Sequence, residues 1–122
     1  MPGRLRLLIV EDHGDTARAL HRLMTKAGYE VSIAGNVAAA LALAGRETFD
    51  LLISDLGLPD GTGYDVMTGL QKIQPLPGIA MSGDGMEEDV HRSREAGFGA
   101  HLVKPVEVPK LIAAIRRVTE PK

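Results

Sequence analysis

Five polar residues stand at the ends of short apolar runs, where their side chains could act together. Glu11 and Asp12 follow the run LLIV, and Asp55 follows LLIS. Ser82 ends the run IAMS, and Lys104 follows HLV. Each residue alone is typical of a turn or of a solvated surface, but a carboxylate at the tip of a buried strand is costly unless another charge pairs with it. We therefore expect these side chains to converge.

Together, these side chains have the chemistry that phosphoryl transfer to an aspartate requires. Three carboxylates in one crevice repel each other unless a cation lies between them. Oxygen donors, in a chain without cysteine, favour a hard ion such as Mg²⁺. One carboxylate can act as the nucleophile, while the metal ion and a lysine neutralise the phosphoryl oxygens and a hydroxyl lies beside them.

Strand and helix patterns alternate along the whole chain and would position this set. Short apolar runs predict five strands, at residues 5–10, 30–34, 49–54, 78–82 and 100–103. A helical segment follows each strand, at residues 16–27, 37–46, 64–73 and 86–96, and finally after Pro105. Gly28 and Gly97 stand where two helices should end, and Thr16 and Asn36 are expected near helix starts.

This alternation predicts an α/β fold, a doubly wound, five-stranded parallel sheet with five helices on its two faces. The second strand alone alternates apolar and polar residues, which suits a sheet edge, and the expected order is the flavodoxin-like 2-1-3-4-5. In such sheets the functional site lies at the carboxyl ends of the strands that flank the switch point, here the first and the third. We expect residues 1–122 to form one domain.

The composition is that of an ordinary globular protein of 122 residues, with 44% hydrophobic and 25% charged residues. Fourteen basic and 16 acidic residues give a net charge of −2, which does not favour nucleic acid or an anionic membrane as a partner. The lack of cysteine excludes disulfides and thiol catalysis. No apolar run approaches the roughly 20 residues of a membrane span, and we expect a cytoplasmic protein.

The chain resembles the receiver domains of the two-component response regulator family, including the chemotaxis regulator. The resemblance extends from about Leu5 to Val118. Any one of the matching motifs is weak, but their ordered set is specific. The matching residues are Glu11-Asp12 after LLIV, Asp55 in LLISDLGLPDGTG, Ser82 in IAMSG and Lys104-Pro105 in HLVKP.

The resemblance implies roles for the residues around Asp55. Asp55 would accept a phosphoryl group from a histidine kinase or a histidine phosphotransfer domain. Asp12 would bind Mg²⁺ directly together with Asp55, Glu11 would act mainly through water, and Gly57 would offer its backbone carbonyl to the ion.

The resemblance also implies a conformational switch. Ser82 would bond to the phosphoryl group and move towards it, and Lys104 would pair with that group. Family members usually carry Tyr or Phe three residues before the lysine, where this chain has His101. His101 is either a partly exposed surface residue or a polar switch whose charge depends on pH.

Three other histidines have less specific surroundings. His13 follows the acidic pair and is interpreted as a loop residue that adjusts access to the site rather than as a metal ligand. His21 and His91 fall in predicted helices and are expected on the surface.

Two other functions compete with a phosphorylatable receiver. A hydrolase of the haloacid dehalogenase type would carry an acid–base aspartate at the position of Gly57, which cannot transfer a proton, so we expect a signalling domain and not an enzyme. A degenerate receiver is disfavoured because the acidic pair, Asp55, Ser82 and Lys104 are all present.

The stretch DLGLPDGTGYDVM resembles receivers of hybrid sensor histidine kinases as much as stand-alone ones. A homodimer through the fourth helix, fifth strand and fifth helix is a further expectation.

Overall fold

The computed structural model of the protein describes residues 4–83 and 87–120. The five long strands are β1 Arg6–Val10, β2 Glu30–Ala34, β3 Leu51–Asp55, β6 Gly78–Ser82 and β7 Ala100–Val103. A short hairpin pairs β4 Gly57–Leu58 with β5 Gly61–Thr62. The helices are α1 Gly14–Lys26, α2 Val37–Ala44, α3 Gly63–Ile73, α4 Glu87–Ala96 and α5 Val108–Thr119. Met86, predicted as the first residue of the fourth helix, lies outside the described residues.

The five long strands form one parallel sheet in the order β2-β1-β3-β6-β7. This is the predicted order 2-1-3-4-5 when the hairpin strands are not counted, so the predicted fold class is confirmed. β2 is an edge strand with an exposed first residue, whereas β3 and β6 are buried throughout. Strands buried on both faces read as continuous apolar runs, which explains why the sequence predicts them well.

The sheet separates two hydrophobic clusters. Leu8 and Val10 of β1 point into a cluster with α2 and α3, whereas Leu7 and Ile9 point into a cluster with α1 and α5. This alternation follows from the two-residue period of a strand. The site at the carboxyl ends of the strands therefore stands on a core packed from both sides. Within the described part of the chain, no helix combines the length and the apolar character that crossing a membrane requires.

At two element boundaries, a side-chain hydrogen bond explains the difference from the predicted position. Residue 49 was predicted in the third strand, but the amide of Phe49 donates to the side chain of Gln74 at 2.8 Å, and the strand starts at Leu51. α3 starts at Gly63, one residue early, because Thr62 and Asp65 form a reciprocal capping box. The short hairpin has no counterpart in the predicted elements.

Asp60, in the turn of this hairpin, ties the loop after β3 to the start of α2. Its carboxylate accepts hydrogen bonds from the amides of Val37 at 2.8 Å and Ala38 at 3.1 Å. Asn36 caps the next free amide, that of Ala39, at 2.7 Å. The bonds from Val37 and then Ala38 lower the pKa of Asp60 below its ordinary value.

We predict that Asp60→Ala lowers the unfolding free energy at neutral pH. The pKa of Asp60 is lower in the folded protein than its ordinary value of 3.8. The stabilisation that the Asp60 carboxylate contributes is therefore complete above pH 3.8, and it is lost as the pH falls through the folded-state pKa. Urea unfolding of wild type and variant between neutral and acidic pH measures this, and the two curves should converge in acid. Asp15→Ala removes an exposed carboxylate that pairs with a side chain, Arg18, and serves as the control. A stability difference that does not change with pH would contradict the capping role.

Candidate functional site

A lysine side chain joins two buried carboxylates at the carboxyl edge of the sheet. Lys104 follows β7, and its Nζ donates to Glu11 Oε1 at 2.6 Å and to Asp55 Oδ2 at 2.9 Å. The Glu11 side chain is fully buried and that of Asp55 is 10% exposed. Glu11 and Asp55 lie side by side because the residues before them, Val10 of β1 and Ser54 of β3, are paired in the sheet. The predicted convergence of Glu11, Asp55 and Lys104 is therefore present in the structure.

The electrostatics of this contact favour a charged lysine. Burial alone would lower the pKa of Lys104, but the hydrogen bonds from its ammonium to Glu11 and Asp55 outweigh that effect, and the pKa is raised above its ordinary value. Asp12 adds a third carboxylate beside this pair, and its side chain is 30% exposed. One ammonium faces three carboxylates, so an excess of negative charge remains that a cation can offset.

The acidic set has the composition of a divalent cation site. Glu11, Asp12, His13 and Asp55 each offer one atom, and these atoms all lie within 4.8 Å of one another. Carboxylate oxygens suit hard divalent ions. Gly57 lies next to Asp55, with its amide 3.4 Å from Asp55 Oδ1. A Cβ atom at Gly57 would have no neighbour within 4 Å, so the space beside this loop is open. The residues present therefore fit such an ion.

The backbone of Asp55 is fixed from several sides. Its carbonyl accepts the hydroxyl of Ser54 at 2.9 Å, and the next amide, that of Leu56, donates to Met81 O at 3.0 Å. A Cβ atom on Gly63 would come within 2.5 Å of the Asp55 carbonyl oxygen. Glycine at the start of α3 thus permits this close approach, which a larger residue would disturb.

Ser82 and His101 are linked to each other and to helix α4. Ser82 Oγ lies 2.7 Å from His101 Nε2, and Ser93 Oγ lies 3.0 Å from His101 Nδ1. Ser82 is 7% exposed and Ser93 is 1% exposed, so the imidazole bridges two buried hydroxyls. Sequence reasoning missed Ser93. Its spacing of three residues from both Val90 and Ala96 is that of a buried helical face and could have indicated it.

The remaining predicted residues lie near the places expected for them. His13 precedes α1 and makes no side-chain capping bond, although its ring contacts the acidic pair. His21, His91 and Thr16 are exposed, and His91 pairs with a glutamate of its own helix. The Lys104–Pro105 peptide bond is cis, a form that proline makes more frequent.

Comparisons with known proteins agree with this arrangement. The family model described as "Response regulator receiver domain" matches residues 7–116. The polar-differentiation response regulator DivK of Brucella anthropi is 32% identical over 113 residues, which cover 90% of this chain and 92% of that protein. The chain spans about half the length of other curated relatives that are named as transcriptional regulatory proteins.

Solved structures share the whole fold. A receiver domain protein described as CheY-like from Methanospirillum hungatei has a TM-score of 0.88 at 30% identity, covering 94% of this chain and 93% of that chain. A response regulator protein from Burkholderia pseudomallei, crystallised with a phosphorylated aspartic acid, calcium ion and citrate, has a TM-score of 0.84 at 29% identity, covering 90% of this chain and 65% of that chain. Together with the family match over most of the chain, these similarities establish that the chain belongs to the response regulator receiver domains, the phosphoacceptor domains of two-component signalling systems.

Proposed function

We propose that Asp55 is the phosphorylated residue of this receiver domain and that the reaction depends on Mg²⁺. The observation that carries the proposal is the pairing of Asp55 and Glu11 with one lysine, at 2.9 Å and 2.6 Å, at the carboxyl ends of two adjacent strands. Asp12 stands beside them with a partly exposed side chain, accessible to an ion from solvent. The phosphorylated aspartic acid and calcium ion named for the Burkholderia pseudomallei structure support this reading by analogy.

The proposed reaction moves a phosphoryl group from a phosphohistidine to Asp55. An oxygen of Asp55 attacks the phosphorus, a new O–P bond forms, and the P–N bond breaks with its electron pair returning to the donor imidazole. Asp12, Asp55 and the Gly57 carbonyl would hold Mg²⁺, with Glu11 acting through water, and the bound ion would supply positive charge to the phosphoryl oxygens. Lys104 leaves its present carboxylate partners and pairs with the new phosphoryl group.

This chemistry suits a signalling acceptor with slow loss of the phosphoryl group rather than an enzyme with rapid turnover. Gly57 occupies the position at which a hydrolase would carry an acid–base carboxylate, and it has no side chain to transfer a proton. The partner is a histidine kinase or a histidine phosphotransfer domain. We further propose one receiver domain over residues 1–122, either stand-alone or in a hybrid sensor histidine kinase, acting in the cytoplasm without itself binding nucleic acid or membrane.

A signal would leave the site through Ser82, His101 and Ser93. When Ser82 turns to donate its hydroxyl to the phosphoryl group, its contact with the His101 ring must change. The same ring contacts Ser93 of α4 at 3.0 Å, so the change reaches the face formed by α4, β7 and α5. Val103, two residues after His101 and on the same side of β7, is an exposed apolar residue of this face. The face is the proposed surface for a homodimer.

We predict that Asp55 gains one phosphoryl group from a small-molecule phosphodonor only when a divalent metal is present. Intact mass spectrometry with and without chelator measures the uptake, and Asp55→Ala should abolish it. Asp50→Ala changes an exposed aspartate at the opposite end of β3 and should retain it. Undiminished uptake by Asp55→Ala would overturn the assignment.

We predict that Ser93→Ala weakens the response of α4 to a phosphoryl mimic at Asp55, while the mimic still binds. The loss of one buried hydrogen-bond partner should also cost about 1 kcal/mol of unfolding free energy. Backbone amide chemical shifts of α4 report the response, and Thr68→Ala removes an exposed hydroxyl from α3 as the control. A response equal to that of the wild type would exclude the path through His101.

A further inference from the structure

We propose that His13 is a ligand of the metal ion at this site and that the site therefore prefers a divalent ion that accepts imidazole, such as Mn²⁺, over Mg²⁺. The inference rests on the proposed function, because it concerns the same acidic set. It goes further by adding a nitrogen donor to that set and by changing which ion the site selects.

The distances fit coordination to a common ion. His13 Nδ1 lies 3.2 Å from Glu11 Oε2 and 3.5 Å from Asp12 Oδ1. Neighbouring ligands on an octahedral ion with bonds of about 2.1 to 2.4 Å are separated by about 3.0 to 3.4 Å. The ring nitrogen thus stands close to the separation from Asp12 that a shared ion requires, and it lies beside Glu11, which would act through water.

The His13 ring is exposed to solvent on one side and contacts the acidic set on the other, with Nδ1 within hydrogen-bond distance of Glu11 Oε2. Its side chain is 72% exposed and does not cap α1. Its backbone amide donates to Glu11 Oε2 at 3.2 Å, which holds the residue next to the acidic set through the main chain. Lys104 binds the other oxygen of Glu11, Oε1. Lys104 and His13 therefore contact different carboxylate oxygens of Glu11 and do not compete for the same oxygen.

The nitrogen donor determines which divalent ion the site prefers. Mg²⁺ is a hard ion that takes oxygen ligands and keeps several waters. Imidazole binds first-row transition ions better, and their affinity for such a site rises along the series that begins with Mn²⁺. A site of carboxylates plus His13 should discriminate against Mg²⁺ more strongly than the carboxylates alone. If His13 serves only as a hydrogen-bond partner of Glu11, its removal leaves this discrimination unchanged.

Metal binding to the purified protein tests the proposal directly. Calorimetric titrations with MnCl₂ and with MgCl₂ give the ratio of the two affinities for the wild type, His13→Ala and His21→Ala. The ratio should fall about tenfold or more in His13→Ala, on the scale of losses seen when the support of a metal ligand is removed. His21→Ala removes an exposed imidazole from α1, the helix that follows His13, as the matched control and should keep the wild-type ratio. An unchanged ratio in His13→Ala overturns the proposal.

A spectroscopic readout identifies the ligand independently of affinity. Electron spin echo modulation of bound Mn²⁺ should show coupling to a ¹⁴N nucleus in the wild type and in His21→Ala, and no such coupling in His13→Ala. Absence of nitrogen coupling in the wild type overturns the proposal. Phosphoryl uptake by the wild type with Mg²⁺ is measured in parallel. Failure of that uptake alongside clear nitrogen coupling would reject Asp55 as phosphoacceptor and retain His13 as a ligand. Normal uptake without nitrogen coupling would retain Asp55 as phosphoacceptor and reject His13 as a ligand.

Discussion

The site depends on one ammonium group that holds two buried carboxylates together. Glu11 follows β1 and Asp55 ends β3, and the register of these neighbouring parallel strands places the two buried carboxylates side by side. Without a counter-charge their repulsion and their burial would both oppose folding. Lys104 offsets this cost from the end of β7, a strand that does not pair with either of the other two. A change of charge at Asp55 therefore alters a contact that spans three strands of the sheet.

The two sides of Asp55 differ in how firmly they are held. In the loop after β3, Asp60 accepts hydrogen bonds from the first amides of α2, and Thr62 forms a capping box with Asp65 at the start of α3. On the other side, Ser82 contacts His101 through a single hydroxyl that can rotate. A new group on Asp55 would thus find a rigid loop on one side and an adjustable hydrogen bond on the other. Under the proposed function, this difference would direct the response towards α4 and β7.

Much of the fold can be predicted from the sequence because its signals are local. The runs that become β1, β3 and β6 are apolar except for polar residues at one end, as expected of strands covered on both faces. The convergence at the strand ends follows from the topology alone, since parallel strands place their carboxyl ends together. Asp60 and Ser93 could not be found in this way. Their partners lie 22 or 23 residues away for Asp60 and 8 residues away for Ser93, and tertiary packing alone brings them together. The sequence leaves the role of His101 open for the same reason, because tertiary packing brings its ring to Ser82 and Ser93.

A double-mutant cycle between Lys104 and Asp55 tests the central claim most directly. Urea unfolding in the presence of a chelator gives the unfolding free energies of the wild type, Lys104→Met, Asp55→Asn and the double variant. Lys104→Met keeps most of the apolar stem while removing the charge, and Asp55→Asn keeps the shape of the side chain. If the ammonium holds the buried carboxylates together, the two changes should couple by about 0.5 to 3 kcal/mol. Effects that add to within about 0.5 kcal/mol would mean that the contact contributes nothing of its own, and would contradict the account.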